Sequence, residues 1–141
     1  MTRKRMLPHT ITLFNYIGDN ENGNEYAVTI IKNVMCMPTI GTTFTTKGDN
    51  SNDYADLYIF ENNSMAYDAY GNMKTYLPAA QWNELKDKTG FWTFNERDYF
   101  VKGIFNEESN PAEIEGAIII NSYNHFDVGT PRMRHWEING H

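Results

Sequence analysis

Residues 122–141 place the tightest limit on how this chain folds. Two extended runs, 123–127 and 133–138, flank Val128-Gly129-Thr130-Pro131, where Gly129 frees the backbone and Pro131 fixes φ and removes a donor. The pattern is a strand, a turn and a terminal strand. In the final run alternation puts Arg134, Trp136 and Ile138 on one face and Met133, His135 and Glu137 on the other. A face carrying Trp136 and Ile138 needs a core, so the chain is expected to close a sheet with its last element.

Aromatic residues make up 14% of the chain, with nine Tyr, eight Phe and three Trp, against an apolar total of only 40%. That balance favours strands bearing large side chains on half-buried surfaces over Leu-rich helices, and predicts a mainly β protein. The 141 residues suit one domain over 10–141, preceded by a leader or arm, 1–9. Arg3-Lys4-Arg5 resembles the start of a signal peptide, but Met6-Leu7-Pro8-His9-Thr10 breaks the apolar stretch that would have to follow. No window approaches the roughly 18 apolar residues of a membrane helix, so a soluble chain with no membrane partner is expected. A net charge of −6 argues against a binder that gains affinity by neutralising phosphates. The single Cys36 excludes an internal disulfide framework and fits a reducing cytoplasm; beside Val34, Met35 and Met37 it reads as a buried structural thiol.

Residues 10–17 (TITLFNYI) put Ile11, Leu13 and Ile17 on one face, interrupted by Asn15, with Phe14 and Tyr16 on the other. The turn formers of 18–24 should return this strand antiparallel into the β-branched run 25–37 as a first hairpin. Residues 39–54 (TIGTTFTTKGDNSNDY) offer only Ile40, Phe44 and Tyr54 as anchors, which predicts a long, projecting and mobile loop. Residues 55–60 are expected to form a short strand with Leu57 and Ile59 inward, and the turn-rich run 61–72 a packed loop or irregular edge. The Asn62-Asn63-Ser64 sequon carries no weight without a secretory signal. One short helix is expected over about 78–88: Pro78 suits its first turn, Trp82 and Leu85 share a face, Lys86 and Lys88 complement its carboxyl end, and Gly90 stops it. Runs 91–94 and 99–104 read as a second hairpin, followed by a polar loop, 106–115.

Motifs that carry chemistry are sparse. There is no Gly-rich phosphate loop, H-E-x-x-H, G-x-S-x-G or Cys/His zinc spacing, so neither cofactor nor metal is expected and the chain reads as a non-enzyme. Alternation sets His125 beside Asp127 and His135 beside Glu137, and the couples would converge if their strands paired, as a metal-assisted hydrolase would need. A nucleophile or third ligand is missing, and polar residues on an outer sheet face are the simpler account. Asp49, Asp53, Asp56, Glu61 and Asp68 lack the ordered spacing of a calcium loop. Tyr67, Tyr70, Tyr76, Trp82, Phe91 and Trp92 either line a sugar or peptide groove or belong to the core, the latter being the simpler reading. Arg132 and Arg134 suit ion pairs with an acidic partner surface, or an internal salt bridge.

Several segments, in this order, carry a resemblance: Met6-Leu7-Pro8-His9-Thr10-Ile11-Thr12-Leu13; Ala55-Asp56-Leu57-Tyr58-Ile59-Phe60; Tyr76-Leu77-Pro78 with Trp82; Trp92-Thr93; Asp98-Tyr99-Phe100-Val101-Lys102-Gly103; and Gly129-Thr130-Pro131-Arg132-Met133-Arg134-His135-Trp136-Glu137. Together they resemble the small head-tail connector proteins of long-tailed phages, often labelled minor capsid or head-closure (stopper) proteins. Residues 1–5 lie outside the pattern. The resemblance implies a small β-barrel with long loops and a structural role in the virion neck, assembled in the host cytoplasm. It implies a self-associated ring, commonly of six copies, beneath the portal and its adaptor and above the tail terminator or tail tube. Such a ring retains packaged DNA without binding it sequence-specifically, and docks the tail.

The chain is thus read as a small antiparallel β-barrel or sandwich with one short helix, acting as a head-closure ring. Ile40, Phe44, Lys47, Asp49 and Asp53 of the long loop are expected at lumen or subunit contacts, and Arg132, Arg134, His135 and Trp136 on an assembly surface. The alternatives are a tail terminator or other neck ring and, from a different class, an aromatic-lined β-barrel that binds a small ligand or glycan through Trp82 or Trp92.

Overall fold

A computed structural model describes residues 8–20, 23–39, 42–45, 48–51, 54–60, 64–96, 98–105, 111–114, 116–126 and 134–141. The strands are β1 (His9–Asn20), β2 (Gly23–Thr39), β3 (Thr42–Thr45), β4 (Gly48–Ser51), β5 (Tyr54–Phe60), β6 (Met65–Tyr67), β7 (Thr75–Tyr76), β8 (Phe91–Trp92), β9 (Tyr99–Lys102), β10 (Ile118–Phe126) and β11 (His135–Gly140). One helix, α1 (Ala79–Glu84), and a 3-10 turn, Pro111–Glu113, complete the described elements.

The fold is mainly β, as composition predicted. β1 pairs with β9, β9 with β10, β10 with β11, β11 with β5 and β5 with β2, while β2 also pairs with β1, so six antiparallel strands close on themselves. The β9–β10 joint is the shortest, with only Ile118 and Ile119 paired to β9, so among the described pairings β10 from Asn121 to Phe126 has a partner on the β11 side alone. The first hairpin and the two closing strands form as expected.

Closure depends on β2, whose 17 residues serve two partners. From Gly23 to Val34 it pairs with β1, and from Met35 to Thr39 with β5. The handover is a bulge at Asn33, at φ 61, where the β1 register slips between His9 and Thr10. Asparagine tolerates this left-handed conformation better than most residues. The extra residue reverses the alternation: Thr29 and Ile31 face inward before it, and Val34 and Cys36 after it. Ser64 clamps the bend, its hydroxyl donating to the Asn33 carbonyl at 2.8 Å and accepting from the Phe60 amide at 3.2 Å.

The barrel interior holds Ile11, Leu13, Ile31, Leu57, Phe100 and Ile138, with Trp92 and Phe94 packed against them. A second cluster of Phe14, Val28 and Val101 lies on the other face of β1, β2 and β9, with Phe105, Ile114 and Ala117 against it. β1 is therefore buried on both sides, as its sequence implied. Ile17 departs from the expected face and is 39% exposed, because the register shifts between Tyr16 and Gly18.

Two local expectations need correction. The helix ends at Glu84, since Leu85 is already extended (φ −70, ψ 135), so Lys86 and Lys88 lie beyond it. Six residues do not sustain a helix alone; burial of Trp82 holds this one, and Lys88 still serves its end by donating to the Leu85 carbonyl at 2.7 Å. The predicted second hairpin does not form either. β8 pairs in parallel with β7, a geometry that needs a crossover, here through α1, while β9 is taken by β1 and β10.

At Gly140 the closing strands leave no room for a side chain. A Cβ built there collides with the Ile119 carbonyl and an Ile118 methyl, next to the paired hydrogen bonds between Ile119 and His141. Gly140→Ala is expected to cost roughly 1–3 kcal/mol as an overpacking change. Urea denaturation checks this; an unchanged midpoint would show that the strands separate there at no cost.

Candidate functional site

The residues expected at subunit contacts fall in the excursion between β2 and β5. This region is not simply a loop. The β2–β5 ladder runs from Met35↔Tyr58 to Thr39↔Tyr54, and the β3–β4 ladder takes it up in the same register, from Thr42↔Ser51 to Thr45↔Gly48. The flanking strands stop before this point, β1 with His9 opposite Val34 and β11 with Gly140 opposite Ala55. The described part of this excursion is thus a two-stranded antiparallel ladder, β3 with β4, whose register matches that of β2 with β5. Phe44 lies opposite Asp49 on it, while Ile40, Lys47 and Asp53 lie outside the described residues. Sequence reasoning counted turn formers here and gave too little weight to Thr42, Thr43 and Thr45, whose β-branched side chains favour strands.

The closing strands present a second surface. On their outer face His135 stacks between Phe126 (centroids 5.0 Å apart, planes at 14°) and Phe60 (5.1 Å, 29°), and its Nε2 lies 3.5 Å from a Glu137 carboxylate oxygen. These rings come from paired positions on three strands, which is why they meet. Arg134 precedes β11 and is half-buried, and Arg132 lies outside the described residues. Trp136, expected on the same surface, turns inward to 6% exposure, because alternation along β11 assigns it to the core with Ile138.

That alternation also separates the two histidines. His125 pairs opposite Trp136 and stacks on it at 4.5 Å, whereas His135 pairs with Phe126 on the other face. The His125 and His135 couples therefore do not converge, and Asp127 lies outside the described residues. Trp82 and Trp92, which a glycan groove would need on its surface, are 1% and 5% exposed. Among the described residues no group of three His, Cys, Asp or Glu is placed to hold a metal, and no helix is long and apolar enough to cross a membrane. Cys36 is buried, and burial pushes its thiol up to about 11, which suppresses the reactive thiolate.

The site that the sequence did not reveal lies at Asp98. This carboxylate is 1% exposed and receives the Tyr16 amide at 3.0 Å on Oδ1, and the Asn15 side-chain amide at 2.7 Å and the Asn95 amide at 3.1 Å on Oδ2. Asn15 also donates to the Thr93 carbonyl at 2.8 Å, and the Ile120 amide donates to the Asp98 carbonyl at 2.8 Å, so one aspartate ties β1, β10 and the 93–98 turn together. Burial raises its pKa to about 6, outweighing the Tyr16, Asn15 and Asn95 hydrogen bonds that pull it down. Beside it opens a cleft of about 650 Å³ lined by Tyr16, Asn83, Asn95, Glu96, Asp98 and Tyr123. The one signal in the sequence was Asn15 breaking the apolar alternation of β1.

A family model described as a family of unknown function, DUF6751, matches residues 6–141, and the chain belongs to that family. No curated protein and no solved structure matches it.

The buried carboxylate sets a pH dependence. Asp98 titrates near 3.8 when unfolded and about 6 in the fold, so the folded state holds its proton more tightly. Its contribution to stability is complete below about pH 4 and is lost as pH rises through 6, a change of roughly 3 kcal/mol. Asp98→Asn sets an NH2 group against backbone and side-chain donors and should cost about 1–3 kcal/mol at neutral pH. Urea unfolding of both chains should show the gap between them widening from pH 7 to pH 4; a gap that narrows toward acid contradicts the assignment.

Proposed function

We propose that the chain is a structural virion protein, a head-closure ring in the neck that retains packaged DNA and docks the tail. The observation that carries this reading is the β3–β4 ladder between β2 and β5, which pairs with no other strand among the described residues. Unpaired strand edges are sites of association between chains. In a ring the β3–β4 ladder pairs with or packs on a neighbouring subunit, and the resemblance noted in the sequence supplies the context.

Two further features support it. The Phe60–His135–Phe126 stack, with Glu137 beside it, forms an amphipathic outer face suited to an assembly contact. The net charge of −6 disfavours adhesion to DNA, which suits a channel through which the genome passes.

Shortening the chain by joining Thr39 to Tyr54 through a two-residue turn separates assembly from folding. The full chain should form rings visible by electron microscopy and native mass spectrometry. The shortened chain should stay monomeric with a melting temperature close to that of the parent, and particles carrying it should lose DNA and fail to join tails. A parent chain that stays monomeric, together with particles that lack it yet keep their DNA and join tails, would end the proposal.

A further inference from the structure

The outer face of β2, β5, β11 and β10 carries side chains in rows that the strand register fixes. Beside the Phe60–His135–Phe126 stack, the next row sets Met35, Tyr58 and Glu137 abreast, and the third sets Met37 beside Asp56. Their sequence neighbours Cys36, Leu57, Ile59 and Ile138 are buried, so these rows point away from the core. A solvated sheet face is ordinarily polar, yet Met37 and Phe126 are 46% and 39% exposed here. Crossing the face, the thioethers of Met35 and Met37 on β2 come first, then the carboxylates of Asp56 on β5 and Glu137 on β11. Between strand axes the three rows cover roughly 14 by 13 Å, far short of the roughly 800 Å² that each partner buries in a stable protein interface. Such a patch suits a single extended segment rather than a second globular surface.

The chain enters the wall at the rim of this face. β1 begins with His9 opposite Val34, and the Cys36 amide donates to His9 Nδ1 at 3.0 Å, which pins the entry point to the part of β2 that bears Met35 and Met37. Residues 1–7 lie ahead of it, outside the described residues. Seven extended residues span about 23 Å, more than the roughly 14 Å from β2 to β10. Their order complements the face: Leu7 and Met6 come nearest the entry point and Arg5, Lys4 and Arg3 follow, as the methionines of β2 are followed by the two carboxylates. Arginine and lysine pair with carboxylates and also lie over aromatic rings such as Tyr58 and Phe126. We propose that the leader of the chain lies across its own β2–β5–β11–β10 face, with Met6 and Leu7 on the methionines of β2 and the basic run over Asp56 and Glu137. Attachment through Pro8 gives the leader a high effective concentration at this face, which favours it over the leader of a second copy. The contact goes beyond the head-closure reading and is tested apart from it.

The test attaches a nitroxide to the isotope-labelled full chain through Thr2→Cys; Cys36 is buried, with its thiol pushed up to about 11, and does not compete for the reagent. Amide NMR signals of Met37, Tyr58 and Glu137 should broaden, and should recover when the nitroxide is reduced. The combined change Arg3→Ser, Lys4→Ser and Arg5→Ser, which lies outside the family match, should abolish the broadening. Raising the salt concentration should reduce it severalfold. Signals that stay sharp with the nitroxide in place overturn the proposal, as does broadening that is equally strong without the basic residues. Broadening in a mixture of nitroxide-bearing, unenriched chain with the isotope-labelled parent also overturns it, because the occupant is then the leader of a second copy.

Discussion

Closure of the barrel rests on one strand pairing with different neighbours along its two halves. β2 is long enough to line β1 first and β5 afterwards, but an uninterrupted strand would carry its inward side chains out of phase with the second partner. The left-handed residue at Asn33 resets that phase, so that Ile31 and Val34 both reach the core although three positions separate them. Ser64 holds the bend through Phe60 on β5 and so ties the reset to the partner it serves. Without the bulge the apolar faces of β1 and β5 could not share one interior.

The interior is not wholly apolar. Where β1, β9 and β10 meet, an aspartate and an asparagine replace the hydrocarbon contacts found elsewhere, and the backbone amides of Tyr16 and Asn95 converge on the carboxylate. Such a node fixes strand positions through direction-dependent bonds, which packing alone does not supply. It also carries the desolvation cost expressed in the raised pKa. The Asp98 node and the β3–β4 ladder lie in different parts of the chain and bear on different properties: the node on the rigidity of the wall, the ladder on the association proposed for it.

Much of the wall was legible in the sequence because alternation with a core on one side leaves a period-two record. Ile11 and Leu13, Leu57 and Ile59, and Trp136 and Ile138 all face inward as that record implies. Three features were not legible. Threonines of the β3–β4 segment read as loop because Gly, Asn and Asp lie among them, whereas antiparallel pairing of β3 with β4 made them strand. Phe91 and Trp92 looked like half of a hairpin, but their partner is Thr75 and Tyr76 across a helix, a long-range parallel pairing that leaves no local trace. Asp98 sits in a run that reads as a surface turn, and only tertiary contact with Asn15 shows that it is interior.

The constant register from Met35↔Tyr58 to Thr45↔Gly48 has a mechanical meaning. The two strands that flank the β3–β4 ladder, β2 and β5, are hydrogen-bonded to each other and to β1 and β11. A load placed on β5 is therefore shared with the seam where β11 is fastened. Whatever takes hold of β2 or β5 takes hold of the barrel itself.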